Sequence, residues 1–315
     1  MPVTVTIPAT SANLGPGYDC LGLALGLYNR ITFTETAEPG LRLTVTGTDA
    51  HKVATDETNL VWQCAQIVFD EAGIRPPGLH IHQENGIPVG SGLGSSSTAV
   101  LGGLLGANEL AGRPFSRAEI LQMAVAAEGH PDNVAPALYG GLVLGVAHEK
   151  GLHIEPLPVA EMKVVVVLPD FHLPTRAARA ALPAKISLPD AVFNASRTPL
   201  LIRALATADY AKLALAMRDK LHQPYRLPLV PGLADAFAAA RAAGAAAVAL
   251  SGAGPSLIAF APSGHEEIGE AVTAVFAQHQ LASRAWVLAV DRAGSCLTNE
   301  FAAVPAKPPN SFDRF

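Results

Sequence analysis

Gly90, Gly92 and Gly94, followed directly by Ser95, Ser96, Ser97 and Thr98, stand ahead of an apolar run in GIPVGSGLGSSSTAVLGGLLGANELA, residues 86–111. Glycine lets backbone approach an anion closely, and the unpaired N–H groups at a helix start, helped by hydroxyls, can hold phosphate oxygens. The same composition also describes a Gly/Ser turn in front of an ordinary buried helix.

Two familiar phosphate loops do not fit. A Walker loop requires GxxxxGK and then Ser or Thr, so that a lysine reaches the β- and γ-phosphates and a hydroxyl reaches the metal. No Lys occurs between Lys52 and Lys150. A dinucleotide loop requires GxGxxG in the first βαβ unit with an acidic residue about 20 positions on. Here the spacing is GxGxG, and a Ser-rich helix start follows.

Other polar residues sit where glycine and proline force turns. Asn13 and Asp19 flank LGPG, a turn tight enough to hold both side chains toward one small ligand, although Asn and Asp are also ordinary turn formers. Glu128 closes a helix ahead of GHPDN, where the helix dipole disfavours a carboxylate unless a cation such as Mg²⁺ offsets it. In HPDN, Pro131 fixes the chain direction before Asp132 and Asn133. SGAGPS (251–256) carries Gly252 and Gly254 between two strand candidates, either as a simple hairpin turn or as a second backbone approach to the glycine loop. No HExxH or similar metal spacing occurs, so His130 and His222 are expected to support loops.

Strands and helices must position these groups. Alternation predicts strands over 4–8, 27–36, 41–47 and 79–83. A helix over 56–72 places Leu60, Cys64, Ile67 and Val68 on one face with Gly73 as its stop, and further helices run from Ser95 to Leu110 and from the Ser116/Glu119 capping box to Glu128. ALYGGLVLGV (137–146) reads as a buried strand or strand pair broken by glycine. A proline-punctuated boundary near 155–160 divides an expected N-terminal domain, 1–157, from a C-terminal domain, 158–306, with a loose tail over 307–315. The second half reads as strand 162–169, helices including 208–221 and 233–243, strands 246–250 and 256–260, a helix opened by Ser263/Glu266, and strand 286–290. That order is the split βαβ pattern of ferredoxin-like domains, not a doubly wound parallel sheet.

Half of the 315 residues are apolar and 16% are charged, below the roughly 25% usual for soluble domains. A length of 315 residues favours two domains. The net charge of -5 provides no general field for nucleic acid or an anionic membrane. The three cysteines lie far apart without CxxC spacing, which argues against a disulfide framework and fits a reducing cytosol. The N-terminus has no signal-peptide pattern, and the most apolar window, 242–261, is too interrupted for a membrane span.

Taken in order, PATSANLGPGYDCLGLAL (8–25), IPVGSGLGSSSTA (87–99), AEGHPDNVAPALYGGLVL (127–144), DKLHQPYR (219–226) and SGAGPS (251–256) resemble the successive signatures of homoserine kinase. That family belongs to the superfamily of galactokinase, homoserine kinase, mevalonate kinase and phosphomevalonate kinase. The resemblance implies an α+β two-domain small-molecule kinase fold, with an N-terminal domain of the ribosomal protein S5 domain 2-like type and a ferredoxin-like C-terminal domain. It implies a cytoplasmic homodimer that uses ATP and Mg²⁺ to phosphorylate L-homoserine in threonine biosynthesis.

Carried over by motif, Pro88, Val89, Gly90, Ser91, Gly92, Leu93, Gly94, Ser95, Ser96, Ser97 and Thr98, with Gly252 and Gly254, surround the ATP phosphates. Ser96 and Glu128 contact the metal. Asn13, Asp19, Asp132, Asn133, Arg179 and Arg226 bind substrate, with Asp19 on the ammonium and the two arginines on the carboxylate; Arg176 competes with Arg179 for that place. Related mevalonate-type kinases carry an aspartate base where Asn133 stands, and an amide cannot serve as one. Catalysis by Asn133 and Asp132 is therefore expected to rest on positioning, with Asp132 the weaker candidate base. Tyr18 departs from the family's usual Phe, SSST from SSAA, and Ser256 from Thr.

Overall fold

Alternation, caps and glycine stops account for most elements of the computed structural model, which describes residues 2–149, 151–298 and the backbone of Ser311 and Phe312. The first half contains β1 (Val3–Ala12), β2 (Leu21–Glu35), β3 (Gly40–Gly47), α1 (Leu60–Ala72), β4 (Gly78–Asn85), α2 (Ser95–Leu110), α3 (Arg117–Glu128), α4 (Pro131–Tyr139), β5 (Leu142–His148) and β6 (Gly151–Leu157). The second half contains β7 (Lys163–Pro169), α5 (Thr175–Ala180), α6 (Leu188–Thr207), α7 (Tyr210–Ala216), α8 (Gln223–Arg226), α9 (Leu233–Ala242), β8 (Ala247–Leu250), β9 (Leu257–Phe260), α10 (His265–Gln278), β10 (Ser283–Ala289), β11 (Cys296–Thr298) and β12 (Ser311–Phe312).

Local chemistry explains the boundaries. Asn59 caps α1 by accepting from the N–H groups of Val61 and Trp62, and Gly73 ends it in the left-handed region. Ser116 and Glu119 form the complete capping box of α3. The apolar stripe of α1 is rotated from its expected face. Val61, Cys64, Ala65, Val68 and Phe69 are buried, whereas Leu60 and Ile67 are exposed, because α1 packs against α2.

Two further expectations change. Residues 137–139 finish α4, and only from Leu142 does the chain become a strand. A short apolar run does not distinguish a buried helix from a buried strand, and the Gly140–Gly141 pair, both at positive φ, marks the switch. Ser263 does not cap α10; Gly264 holds the N-cap position at φ 69°, with Glu266 and Glu267 in the first turn.

The first sheet is mixed, in the order β11-β1-β2-β4-β3, with β5 also on β2 and β6 on β5. Its β3–β4 pair is parallel. β11, near the C-terminus, pairs with β1, so the chain returns to the sheet it began. The second sheet runs β12-β10-β7-β9-β8 with antiparallel pairing throughout, and β10-β7-β9-β8 is the ferredoxin-like order. The expected tail, 307–315, and the expected domain end at 306 lie outside the described residues, except that the backbone of Ser311 and Phe312 pairs with Trp286 and Ala285.

β7 is buried along nearly its whole length because its two faces enter different cores. Val164 and Val166 pack toward Leu21, Leu23 and Leu25 of the first sheet, while Val165 and Val167 pack with Phe237, Val272 and Phe276 of α9 and α10. A third cluster lies between the first sheet and α1–α4, around Ile7, Phe33, Leu101 and Val134. Apolar packing thus continues from one sheet to the other.

One close approach locates α4. A Cβ at Gly22 on β2 would lie 1.8 Å from the carbonyl oxygen of Asp132 and 2.7 Å from Pro136. Gly22→Ala should therefore destabilise the fold by about 1–3 kcal/mol or more, the cost of overpacking against backbone, and displace the first turn of α4. Denaturant midpoints test this; an unchanged midpoint would show that α4 is not held by this contact.

Candidate functional site

The glycine loop, the first motif, the start of α4, α5 and the SGAGPS turn enclose a cavity of about 210 Å³. Gly92, at φ 77°, makes the tightest seam: an added Cβ would meet the carbonyl oxygens of Ser251 at 2.5 Å and Gly254 at 2.7 Å. The Ser251 hydroxyl donates to the Gly92 carbonyl at 2.8 Å. The SGAGPS turn is therefore a second wall of the loop as well as a hairpin connection.

Gly94, at φ 73°, occupies the N-cap of α2 without a side-chain cap, leaving helix-start N–H groups for an anion. Ser96 and Ser97 donate to opposite oxygens of Glu128, each at 3.0 Å. α3 thus ends on the hydroxyls that begin α2. Hydroxyl and carboxylate oxygens are the hard donors that Mg²⁺ takes, with phosphates and water completing its shell. Among the described residues no group of three or more His, Cys, Asp or Glu could hold a metal.

At the first turn of α4, His130 Nδ1 donates to Asp132 at 2.7 Å, and this bond raises the His130 pKa despite the opposing effect of burial. Thr10 of β1 donates to the Asn133 side-chain oxygen at 2.8 Å. Both polar residues of HPDN are therefore held by neighbours.

Asp19, at φ 56°, receives both Nη atoms of Arg179 at 2.9 Å, a bidentate pair at the cavity edge. Tyr18 links this pair to the interior: its hydroxyl accepts from Arg179 at 3.2 Å, and Arg226 lies over its ring at 5.2 Å. Arg226 is only 2% exposed, and burial lowers its pKa, yet no carboxylate lies within ion-pair distance of it among the described residues. Its donors go to the carbonyls of Ala178 and Gly252, to Nδ1 of His222 and to the Tyr18 hydroxyl. His222, fully buried, completes that support by donating from Nε2 to the Gly15 carbonyl at 2.8 Å. A guanidinium remains charged in proteins. The cavity therefore has a buried cation lacking an anionic partner.

Asn13, Asp19, Gly90, Ser91, Gly92, Gly94, Ser95, Ser96, Glu128, Asp132, Asn133, Arg179, Arg226, Gly252 and Gly254 all line the cavity. Arg176 does not, although it shares α5 with Arg179. The Asn13 amide is already engaged, accepting from Asp19 N at 2.9 Å and donating to Gly252 O at 2.8 Å, so it fastens the motif between the two halves. Pro88, Leu93, Ser97 and Thr98 are buried and do not line the cavity. Thr98 turns inward, donating to Ser95 O and accepting from Asn29.

Val89 and Gly90 face an adjoining chamber of about 620 Å³ with Asp49, Lys52, His172 and Arg284. Sequence spacing gave no sign of these residues, since they come from the β3–α1 and β7–α5 connections and from β10, which only the fold brings together. Tyr18 and Thr10 were visible as motif residues, but their partners were not.

Two family models match the chain: GHMP kinases N terminal domain over residues 59–141 and GHMP kinases C terminal over 201–278. A homoserine kinase from Crocosphaera subtropica is 47% identical over 297 residues, covering 93% of this chain and 96% of the relative. The chain belongs to the homoserine kinase family of the GHMP kinases. A second homoserine kinase, from Moorella thermoacetica, is 45% identical with coverage of 87% and 92%. The crystal structure of homoserine kinase from Cytophaga hutchinsonii superposes with a TM-score of 0.85 at 31% identity, covering 94% of this chain and 97% of that one. The crystal structure of L. major mevalonate kinase in complex with R-mevalonate shares the fold, with a TM-score of 0.72 at 17% identity and coverage of 92% and 96%.

In this homoserine kinase family member, the support of Arg226 predicts a pH dependence. Burial pushes the His222 pKa below its ordinary 6.5, outweighing the opposing attraction of Asp219. The unfolded chain binds this proton below about pH 6.5 and the folded chain resists it, so stability falls as pH drops through that value. NMR should find the His222 imidazole neutral at pH 6; protonation with a midpoint at or above 6.5 would contradict the arrangement.

Proposed function

We propose that this chain transfers the γ-phosphoryl group of ATP to the side-chain hydroxyl of L-homoserine, forming O-phospho-L-homoserine and ADP in threonine biosynthesis. The observation that carries the substrate choice is Arg226, a buried cation beside Asp19 and the glycine loop with no carboxylate partner among the described residues. An amino acid brings the missing carboxylate to Arg226 and an ammonium to Asp19. Arg179, exchanging its fork from Asp19 to substrate, supplies a second contact for the carboxylate. The hydroxyl at the other end of so short a molecule then reaches toward Asn133 and the loop.

The phosphates lie against the backbone from Gly90 to Ser96 at the start of α2, with the Gly252–Gly254 turn opposite. The larger chamber beyond Gly90 gives the nucleoside end room. Ser96 and Glu128 would hold Mg²⁺, which neutralises phosphate charge when bound. As the acceptor oxygen forms its bond to phosphorus, the bond to the β–γ bridging oxygen breaks and ADP leaves with that electron pair. Asn133 accepts no proton, so the hydroxyl proton passes to a phosphoryl oxygen, with Asp132, one of whose oxygens is bonded to His130, the weaker candidate base. Rate enhancement then comes from positioning and electrostatic stabilisation.

ADP release measured with homoserine, mevalonate, galactose and shikimate should depend on homoserine alone. The Glu128→Gln variant should lose about 100-fold or more in kcat, in the range found when an oriented transition-state contact is removed, while homoserine affinity stays close to wild type. No homoserine-dependent turnover in wild type would sink the assignment; full turnover in the variant would remove Glu128 from the machinery.

A further inference from the structure

Thr10 is fully buried on β1, and its hydroxyl has one side-chain partner among the described residues, the Asn133 oxygen at 2.8 Å. Its backbone N–H donates to the Leu93 carbonyl of the glycine loop at 3.0 Å. A Cβ at Gly94 would lie 2.1 Å from the Thr10 hydroxyl and 3.4 Å from the Asn133 oxygen. Three pieces therefore meet at one atom: the central strand, the last glycine of the loop, and the first turn of α4.

This contact decides which end of the Asn133 amide faces the reaction. A hydroxyl carries one proton, and here it is given to the amide oxygen. The Asn133 NH₂ group has no acceptor among the described residues, and Asn133 lines the cavity. The amide therefore offers donors there.

We propose that Thr10 is a positioning residue for phosphoryl transfer: by holding the Asn133 oxygen, it aims the Asn133 NH₂ at the oxygens of the group in flight. The proposal rests on the kinase reading above. Charge spreads over the equatorial phosphoryl oxygens during transfer, and a donor fixed in advance stabilises it without reorganising. Without the Thr10 hydroxyl, the amide gains a free rotor and can turn its oxygen, an acceptor of the wrong sign, toward phosphate. The Gly94 contact explains why the loop bears no side chain here: any Cβ would push Thr10 from Asn133.

The test is steady-state kinetics on Thr10→Val, Thr10→Ser, Asn133→Ala and the Thr10→Val/Asn133→Ala double variant. Thr10→Val keeps the shape and removes the hydroxyl. It should lower kcat by ~10–100-fold, the scale of a misaimed catalytic contact, with KM for homoserine and ATP within about twofold of wild type. Thr10→Ser should restore most of the lost kcat. In the Asn133→Ala background the Thr10→Val change should cost nothing further, because the two residues act as one unit. Wild-type kcat in Thr10→Val, an equal loss in Thr10→Ser, or additive losses in the double variant would each overturn the proposal. A wild-type enzyme without homoserine-dependent turnover would instead defeat the kinase reading, so the two failures are distinguishable.

Discussion

The backbone of a single residue in the SGAGPS turn, Gly252, ties the site together. The N–H of Gly252 donates to the Ala12 carbonyl at 3.1 Å, and its carbonyl accepts from the Asn13 amide at 2.8 Å and Arg226 at 3.3 Å. The strand that carries the first motif, the connection between β8 and β9, and the buried arginine are thereby fixed to one another. Gly92 packs against the same turn too closely for a side chain. The glycine-loop end and the charged end of the cavity share this backbone seam, so their separation is set by the fold, not by flexible side chains.

The fold has to support a cost that this arrangement creates. Arg226 is removed from water without a carboxylate partner, and burying charge is unfavourable unless hydrogen bonds or a counter-ion offset it. Two carbonyls, neutral His222 and the Tyr18 hydroxyl accept from the guanidinium, and the rings of Tyr18 and His222 pack together at 5.2 Å beside it. Most of its hydrogen bonding is met while its charge is not. Asp19 and Arg179 are in the opposite condition, neutralised by each other at the cavity edge. An amino acid with both charges can exchange with that pair and complete Arg226 in one event.

Motif reading found much of this because short segments carry strong local constraints. A capping box, a glycine stop, a Ser-rich helix start and proline-fixed turns each determine local geometry; Asp19 and Glu128 stand at such points, Arg179 and Arg226 came only from the family resemblance, and all four reach one cavity. What remained hidden was pairing across distance. Asn13 reads as a ligand contact because its amide is polar, and it does line the cavity, but its bonds to Asp19 N and Gly252 O could not be read from the sequence. Thr98 belongs to the loop in sequence and to the core in space. The switch from helix to strand at Gly140–Gly141 was missed because both conformations bury the same apolar side chains.

The central claim is that the unmatched charge on Arg226 makes the cavity require a carboxylate. It is tested most directly by comparing kcat/KM for L-homoserine with that for 3-aminopropan-1-ol, which keeps the ammonium and hydroxyl and lacks only the carboxylate. The account predicts a loss of about 1,000-fold or more, since a site built to pair a polar group rejects an analogue that leaves it unpaired. A value within about tenfold of homoserine, worth only ~1.4 kcal/mol, would show that Arg226 serves the fold and not the substrate.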